Sequence, residues 1–266
     1  MRSILLLAAA AFAAVLPARA QSVAFRVSMN HQAYITGEKV ELTFKLRNTG
    51  LAPIVVADYE AYKDNRVEIE IRNQERKVVR PFKEGAIIES LSLEHDQEQT
   101  FRIPLTDWFP LGIGHYQVKI LVFNNGLRFD SPIEVFDVID GLELASVSHY
   151  VSRMPPVERT LHLVYWSREG RELAFLRAED RPASGRWETI LLGDIMRVKR
   201  PSIERDPKNP DQFFIYRQVN RDTLSRIAIV SNAEGIRIAD IKHAAESASS
   251  PMIDSLREAV ERTSAK

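Results

Sequence analysis

Val40-Glu41-Leu42-Thr43-Phe44-Lys45-Leu46-Arg47 alternates apolar and polar side chains without a break. Successive side chains of an extended chain point to opposite faces, so Val40, Leu42, Phe44 and Leu46 share one face and the polar residues share the other. This is the pattern of an antiparallel strand with one buried face and one wet face. The same period runs through Val23, Phe25, Val27 and Met29, and again through Val67, Ile69 and Ile71. It returns in Phe101, Ile103 and Leu105, then in Tyr116, Val118, Ile120 and Val122, and in the neighbourhood of Ile133 and Val135. Turn residues separate these runs: Thr36-Gly37-Glu38, Asn48-Thr49-Gly50, Gly112-Ile113-Gly114 and Asn124-Asn125-Gly126. About eight short strands at this spacing predict a β-sandwich over residues 21–141.

Three segments of this module, Gly37-Glu38-x-Val40-x-Leu42, Leu46-Arg47-Asn48-Thr49-Gly50 and Gly114-His115-Tyr116-Gln117-Val118, resemble bacterial extracytoplasmic immunoglobulin-like domains. The resemblance implies an Ig-like antiparallel sandwich, with Tyr116 buried near a strand corner and its hydroxyl tied to backbone. It implies no catalytic residues, and the cysteine pair and core tryptophan of antibody domains are missing.

Residues 142–242 change character. Leu161-His162-Leu163-Val164-Tyr165-Trp166 carries apolar side chains on both faces, and Phe213-Phe214-Ile215-Tyr216 repeats this. Strands of that kind are covered on both sides. The candidate strands recur in one order. Ala145–His149, His162–Trp166, Glu172–Arg177 and Trp187–Ile195 form the first set; Ser202–Arg205, Phe213–Arg217, Leu224–Val230 and Gly235–Ile241 form the second. Tyr165 and Tyr216 lie 51 positions apart. Two four-stranded units of this length resemble two β-propeller blades, and the stretch Leu176 to Asp180 with Gly185-Arg186-Trp187 resembles an Asp-box turn, with Ala178 where a serine is usual. Two blades cannot close a propeller, so the first module, the tail or another subunit must cover their outer faces. Over 243–266 the expectation is a linker and then an amphipathic helix, with Ser250-Pro251 at its start and Met252, Ile253, Leu256 and Val260 as its apolar stripe. The fold class is thus all-β, with a C-terminal helix.

The first 20 residues read as a secretory signal peptide: Arg2, an apolar run from Ile4 to Leu16, and Ala18-Arg19-Ala20 as a small-x-small cleavage site. The run is too short to span a membrane, and no second run approaches that length, so no membrane span is expected in the mature form. Export to the periplasm or beyond is the expected localisation. The chain holds 36 basic and 36 acidic residues; loss of Arg2 and Arg19 leaves the mature net charge at −2, which gives no reason to expect nucleic acid as a partner. There is no cysteine, which excludes disulfides, thiolate nucleophiles and cysteine-based zinc sites.

The chain has no H-E-x-x-H, G-x-S-x-G, P-loop or dinucleotide fingerprint, so no cofactor and no enzymatic activity are expected. Among the aromatics, Trp166, Trp187 and Tyr216 are candidate ligand-stacking residues, Trp187 above all because it follows a loop. Asp206, Asn209 and Asp211 cluster oxygen ligands as calcium would require, and suit a plain turn equally well. His149 and His162 are a candidate metal pair across neighbouring strands, although lone strand histidines are usually structural. The acidic residues Glu89, Glu94, Asp96 and Glu98 and the basic stretch Arg197, Lys199, Arg200, Arg205 and Lys208 read first as solvated loops. The leading expectation is an exported adaptor that binds a protein or a cell-surface component. The alternatives are a carbohydrate-binding protein and a structural subunit that completes its β fold as a homo-oligomer.

Overall fold

The computed structural model describes residues 23–58, 60–151, 156–181 and 187–245. The first module contains β1 (Val23–Met29), β2 (Ala33–Ile35), β3 (Glu41–Asn48), β4 (Ile54–Val56) and β5 (Arg66–Asn73). It continues with β6 (Leu91–Leu93), β7 (Glu98–Pro104), β8 (Gly114–Asn124), β9 (Leu127–Asp130) and β10 (Glu134–Ile139). One sheet runs β1-β3-β7; the other runs β2-β10-β8-β5, with β9 paired to β8 and a separate β4-β6 ribbon. All pairs are antiparallel except β2 with β10. The alternating residues Leu42, Phe44 and Leu46 of β3 meet Ile71, Val118, Ile120 and Phe136 of the other sheet in one core. Long strands appear where the alternation predicted them, while β2, β4, β6 and β9, at three or four residues each, are too short to show a period. Tyr116 is buried, and its hydroxyl donates to the Gly112 carbonyl at 2.8 Å.

The second module is two four-stranded meanders. The first is β11 (Leu142–Val151), β12 (Val157–Arg168), β13 (Arg171–Arg181) and β14 (Trp187–Asp194). The second is β15 (Ser202–Arg205), β16 (Gln212–Asn220), β17 (Thr223–Asn232) and β18 (Gly235–Ala245). Each meander pairs its strands in chain order, as the internal repeat predicted. Leu161, Leu163 and Leu176 of one sheet pack on Phe213, Ile215, Ile227 and Ile229 of the other. The opposite face of β12 is covered by the first module: Val164 packs with Leu173, Phe175 and Ile35 of β2, and Trp166 and Ile139 lie against them.

The fold class needs one correction. Of the described residues 64% are strand and 3% helical, and no helix among them reaches seven residues, so the described residues are all-β and include no C-terminal helix. The segment 250–266 lies outside the described residues, as do the signal-peptide segment 1–20 and Gly185-Arg186 of the Asp-box resemblance. His243, Ala244 and Ala245, expected in a linker, belong to β18 and pair with Ser225, Leu224 and Thr223. A neighbouring strand supplies the ladder there despite the weak strand preference of alanine.

Candidate functional site

The two modules meet in a seam built from a few side chains. Arg168 of β12 and Glu38 of the β2–β3 turn form a bidentate pair at 2.9 and 2.5 Å, both largely buried, and Glu38 also accepts from the Ile35 amide at 3.0 Å. Arg177 of β13 pairs with Asp140, the residue that leads into β11. Thr189 of β14 donates its amide to the Gly37 carbonyl at 3.0 Å and its hydroxyl to the Thr36 carbonyl at 2.6 Å, so the β2–β3 turn covers the outer edge of β14. Gly141 makes the crossing between modules with φ +73°; a Cβ there would lie 2.5 Å from Val164, so only glycine fits.

Beside the seam, one polar patch sits on the face of β11–β13. His162 Nδ1 lies 2.7 Å from a Glu143 carboxylate oxygen and Nε2 lies 3.4 Å from Glu179. Burial by itself would raise the Glu143 pKa, but hydrogen bonds from His162 and Ser146, with Arg177 nearby, outweigh it and hold the carboxyl below its usual value. Both ring nitrogens of His162 face carboxylates, and neither is placed to take a proton from a hydroxyl such as Ser148, whose Oγ instead meets Thr160 at 2.9 Å. A shallow depression of about 480 Å³ near the β4–β6 ribbon, lined by Val56, Tyr62, Ser92 and Gln99 among others, has no charged residue in its lining. Neither place offers an activated nucleophile with a base.

The aromatic candidates do not form one platform. Trp166 is part of the seam, and Trp187, on β14, carries the Arg177 guanidinium 4.9 Å from its ring centre. Tyr216 is on β16, buried beside Phe214 on the face away from the module core, with the rings 6.5 Å apart. Asp206 and Asn209 spend their side-chain oxygens on the turn, accepting from the amides of Lys208 at 2.9 Å and Asp211 at 3.2 Å. Among the described residues no group of three or more His, Asp or Glu side chains is arranged to hold a metal ion. His149 and His162 are on opposite faces of their sheet: His149 pairs in register with Arg159, three residues from His162, and an odd spacing on a strand reverses the face. Asp96 and Glu98 meet Arg47 and Lys45 at 3.1 and 2.7 Å, and Arg197 lies over the Tyr165 ring at 3.9 Å. These charges are used locally.

No family model and no curated protein matches the sequence. Among solved structures, the chain is similar to the sporulation control protein Spo0M from Bacillus subtilis. The likeness covers 91% of this chain and 96% of that one, at 11% identity and a TM-score of 0.29, a level that carries no argument about function.

Two features were not anticipated from sequence. One is a buried cluster around His149 and Arg159, between the two sheets of the second module. The other is the outer edge of β18. β18 ends its sheet, and among the described residues no strand pairs with its outer side. Arg237 to His243 are seven consecutive exposed residues, with Ile238 at 36% and Ile241 at 42% exposure. The second sheet buries Ile236, but its inner face opens beyond that residue. The signal was present in the sequence as isoleucines at 236, 238 and 241 among charged residues, but their exposure depends on where the opposing sheet ends.

Proposed function

We propose that this chain is an exported, non-enzymatic binding protein that acts through protein–protein or cell-surface contacts, with the β18 edge as its contact surface. The observation that carries the reading is the contrast between two sheet edges. The outer edge of β14 is occupied by the first module, whereas β18 presents a strand of 11 residues with exposed Ile238 and Ile241. A long edge strand with apolar side chains is the surface to which an extended segment of a partner adds by backbone hydrogen bonds. Export rests on residues 1–20, and a mature N-terminus at Gln21, measured by intact mass, is the expected result. An immunoglobulin-like type for the first module is supported by the β1-β3-β7 sheet packed on β2-β10-β8-β5 and by the Tyr116 hydroxyl bond.

The test is a photo-crosslinking residue at Ile241 of the full chain in its own cells. A discrete adduct with another protein or a surface polymer is expected, absent when the crosslinker replaces the exposed Val198 and lost in the Ile238→Asp variant. No adduct at 241, or an adduct only with a second copy of the chain, overturns the adaptor reading.

A further inference from the structure

His149 of β11 points between the two sheets of the second module, 3% exposed, with its ring centre 4.6 Å from that of Phe213 on β16. Neither ring nitrogen makes a hydrogen bond of normal geometry. Its cross-strand neighbour is Arg159 of β12. Arg159 holds Asp180 of β13 by two bonds of 2.5 and 2.9 Å. It also donates to the carbonyls of Asn232 at 2.8 Å and Gly235 at 3.2 Å, and reaches Ser231 Oγ at 3.4 Å. Those acceptors all lie at the turn between β17 and β18, so one guanidinium ties that turn to the opposing sheet. Arg205 of β15 and Asp211 of the β15–β16 loop are the other charged groups that act on His149, together with the Ser231 backbone. Arg159 and Asp180 match each other, which leaves one cation, Arg205, and one carboxylate, Asp211, before His149 takes up any proton.

A neutral imidazole suits this site. A proton on it would set a second cation beside Arg159 in a space closed to water, where an uncompensated charge is strongly unfavourable. We propose that His149 and Arg159 form an acid-sensitive latch: protonation of His149 drives Arg159 from the β17–β18 turn and opens the contact between the sheets at that end. The latch is independent of what binds at β18.

Burial, and then Arg159, holds the His149 pKa below its ordinary 6.5, with Arg205 acting the same way and Ser231 and Asp211 opposing. The unfolded chain therefore takes up the proton first. Stability is fully present above a pH of about 6.5 and is lost as pH falls from there through the folded value. The experiment is hydrogen exchange of the 223–245 hairpin in the full mature chain between pH 7.5 and 5, corrected for intrinsic rates, in wild type and His149→Phe. The phenylalanine keeps a ring against Phe213 and cannot titrate. Opening of the hairpin in wild type is expected to rise by up to about tenfold per pH unit below 6.5 beyond the rise in the variant. Equal pH dependence in both overturns the latch. His149→Gln replaces the phenylalanine variant should that one not fold. Titration of the wild-type His149 ring by NMR gives a reading that needs no variant: a ring that protonates at its ordinary value without moving the Asn232–Gly235 amides also overturns the latch.

Discussion

In the first module the buried polar side chains include Thr36, Asn48, Asn65, Asn124 and Ser131; in the second they include Arg159, Arg168, Arg177 and Arg217. The amides act within the first module. Asn48 donates to the carbonyls of Ala52 and Leu93 at 2.9 Å each and accepts from the Gly50 amide, closing its own turn and tying it to β6. Asn65 donates to the Val55 carbonyl and accepts from the Asn125 amide, tying its turn to β4 and to the turn after β8. The guanidiniums act between sheets and between modules. Arg168 and Arg177 tie the second module to the first, Arg159 ties one sheet to the other, and Arg217 of β16 donates to the carbonyls of Leu192 and Asp194 on β14. Leu192 sits at a bulge in the β13–β14 ladder, which leaves its carbonyl for Arg217. Burial lowers the Arg217 pKa to about 10, and it remains a cation at neutral pH. The lesson is one of reach. A sandwich whose sheets share a broad apolar core needs neutral polar groups only to tie its turns to neighbouring strands. Two meanders with short hairpins are joined to each other and to their neighbour over longer gaps, and a planar fork of five donors on a long stem spans them.

The largest test of this contrast is Arg168→Met. It leaves Glu38 buried without its cation, and urea unfolding should show a loss of about 3–5 kcal/mol, the usual effect of removing one partner of a buried pair. A loss below about 1 kcal/mol would break the comparison. Asn48→Ala should cost less, about 1–3 kcal/mol, because the groups it strands, the carbonyls of Ala52 and Leu93 and the Gly50 amide, are neutral. If it equals the arginine variant, neutral ties within one module matter as much as a charged tie between modules. Tyr116→Phe removes one neutral hydrogen bond and leaves the ring stacked on Phe136 at 5.3 Å, so a loss of about 1 kcal/mol is expected by the same measurement. A loss above 3 kcal/mol would make that strand corner a tie comparable to the arginines.

Much of this architecture was legible. The alternation in 40–47 and its relatives located the long strands of the first module, and the repeat located all eight strands of the second. The candidate site was far less so. Tyr116 was found through its resemblance, and Trp166 fell in the seam rather than on a binding surface. His149 was considered with His162, yet its partner is Arg159, one strand across. A sign of this was in view: Arg159 shares a face with Leu161 and Leu163, and an arginine on a core-facing row must find acceptors.

Period, turn chemistry and the lack of cysteine belong to the chain itself, because they depend on neighbours two to four positions apart. From them followed an all-β protein whose second half repeats a four-strand unit. Tertiary structure alone decided which charged residues are buried, which edge is covered and which stays open. The face of a strand is a local property, but its burial depends on how far another sheet extends across it. Gly37 and Thr189, 152 positions apart, close the edge of β14, whereas among the described residues no strand lies beyond Ile241 on the outer side of β18.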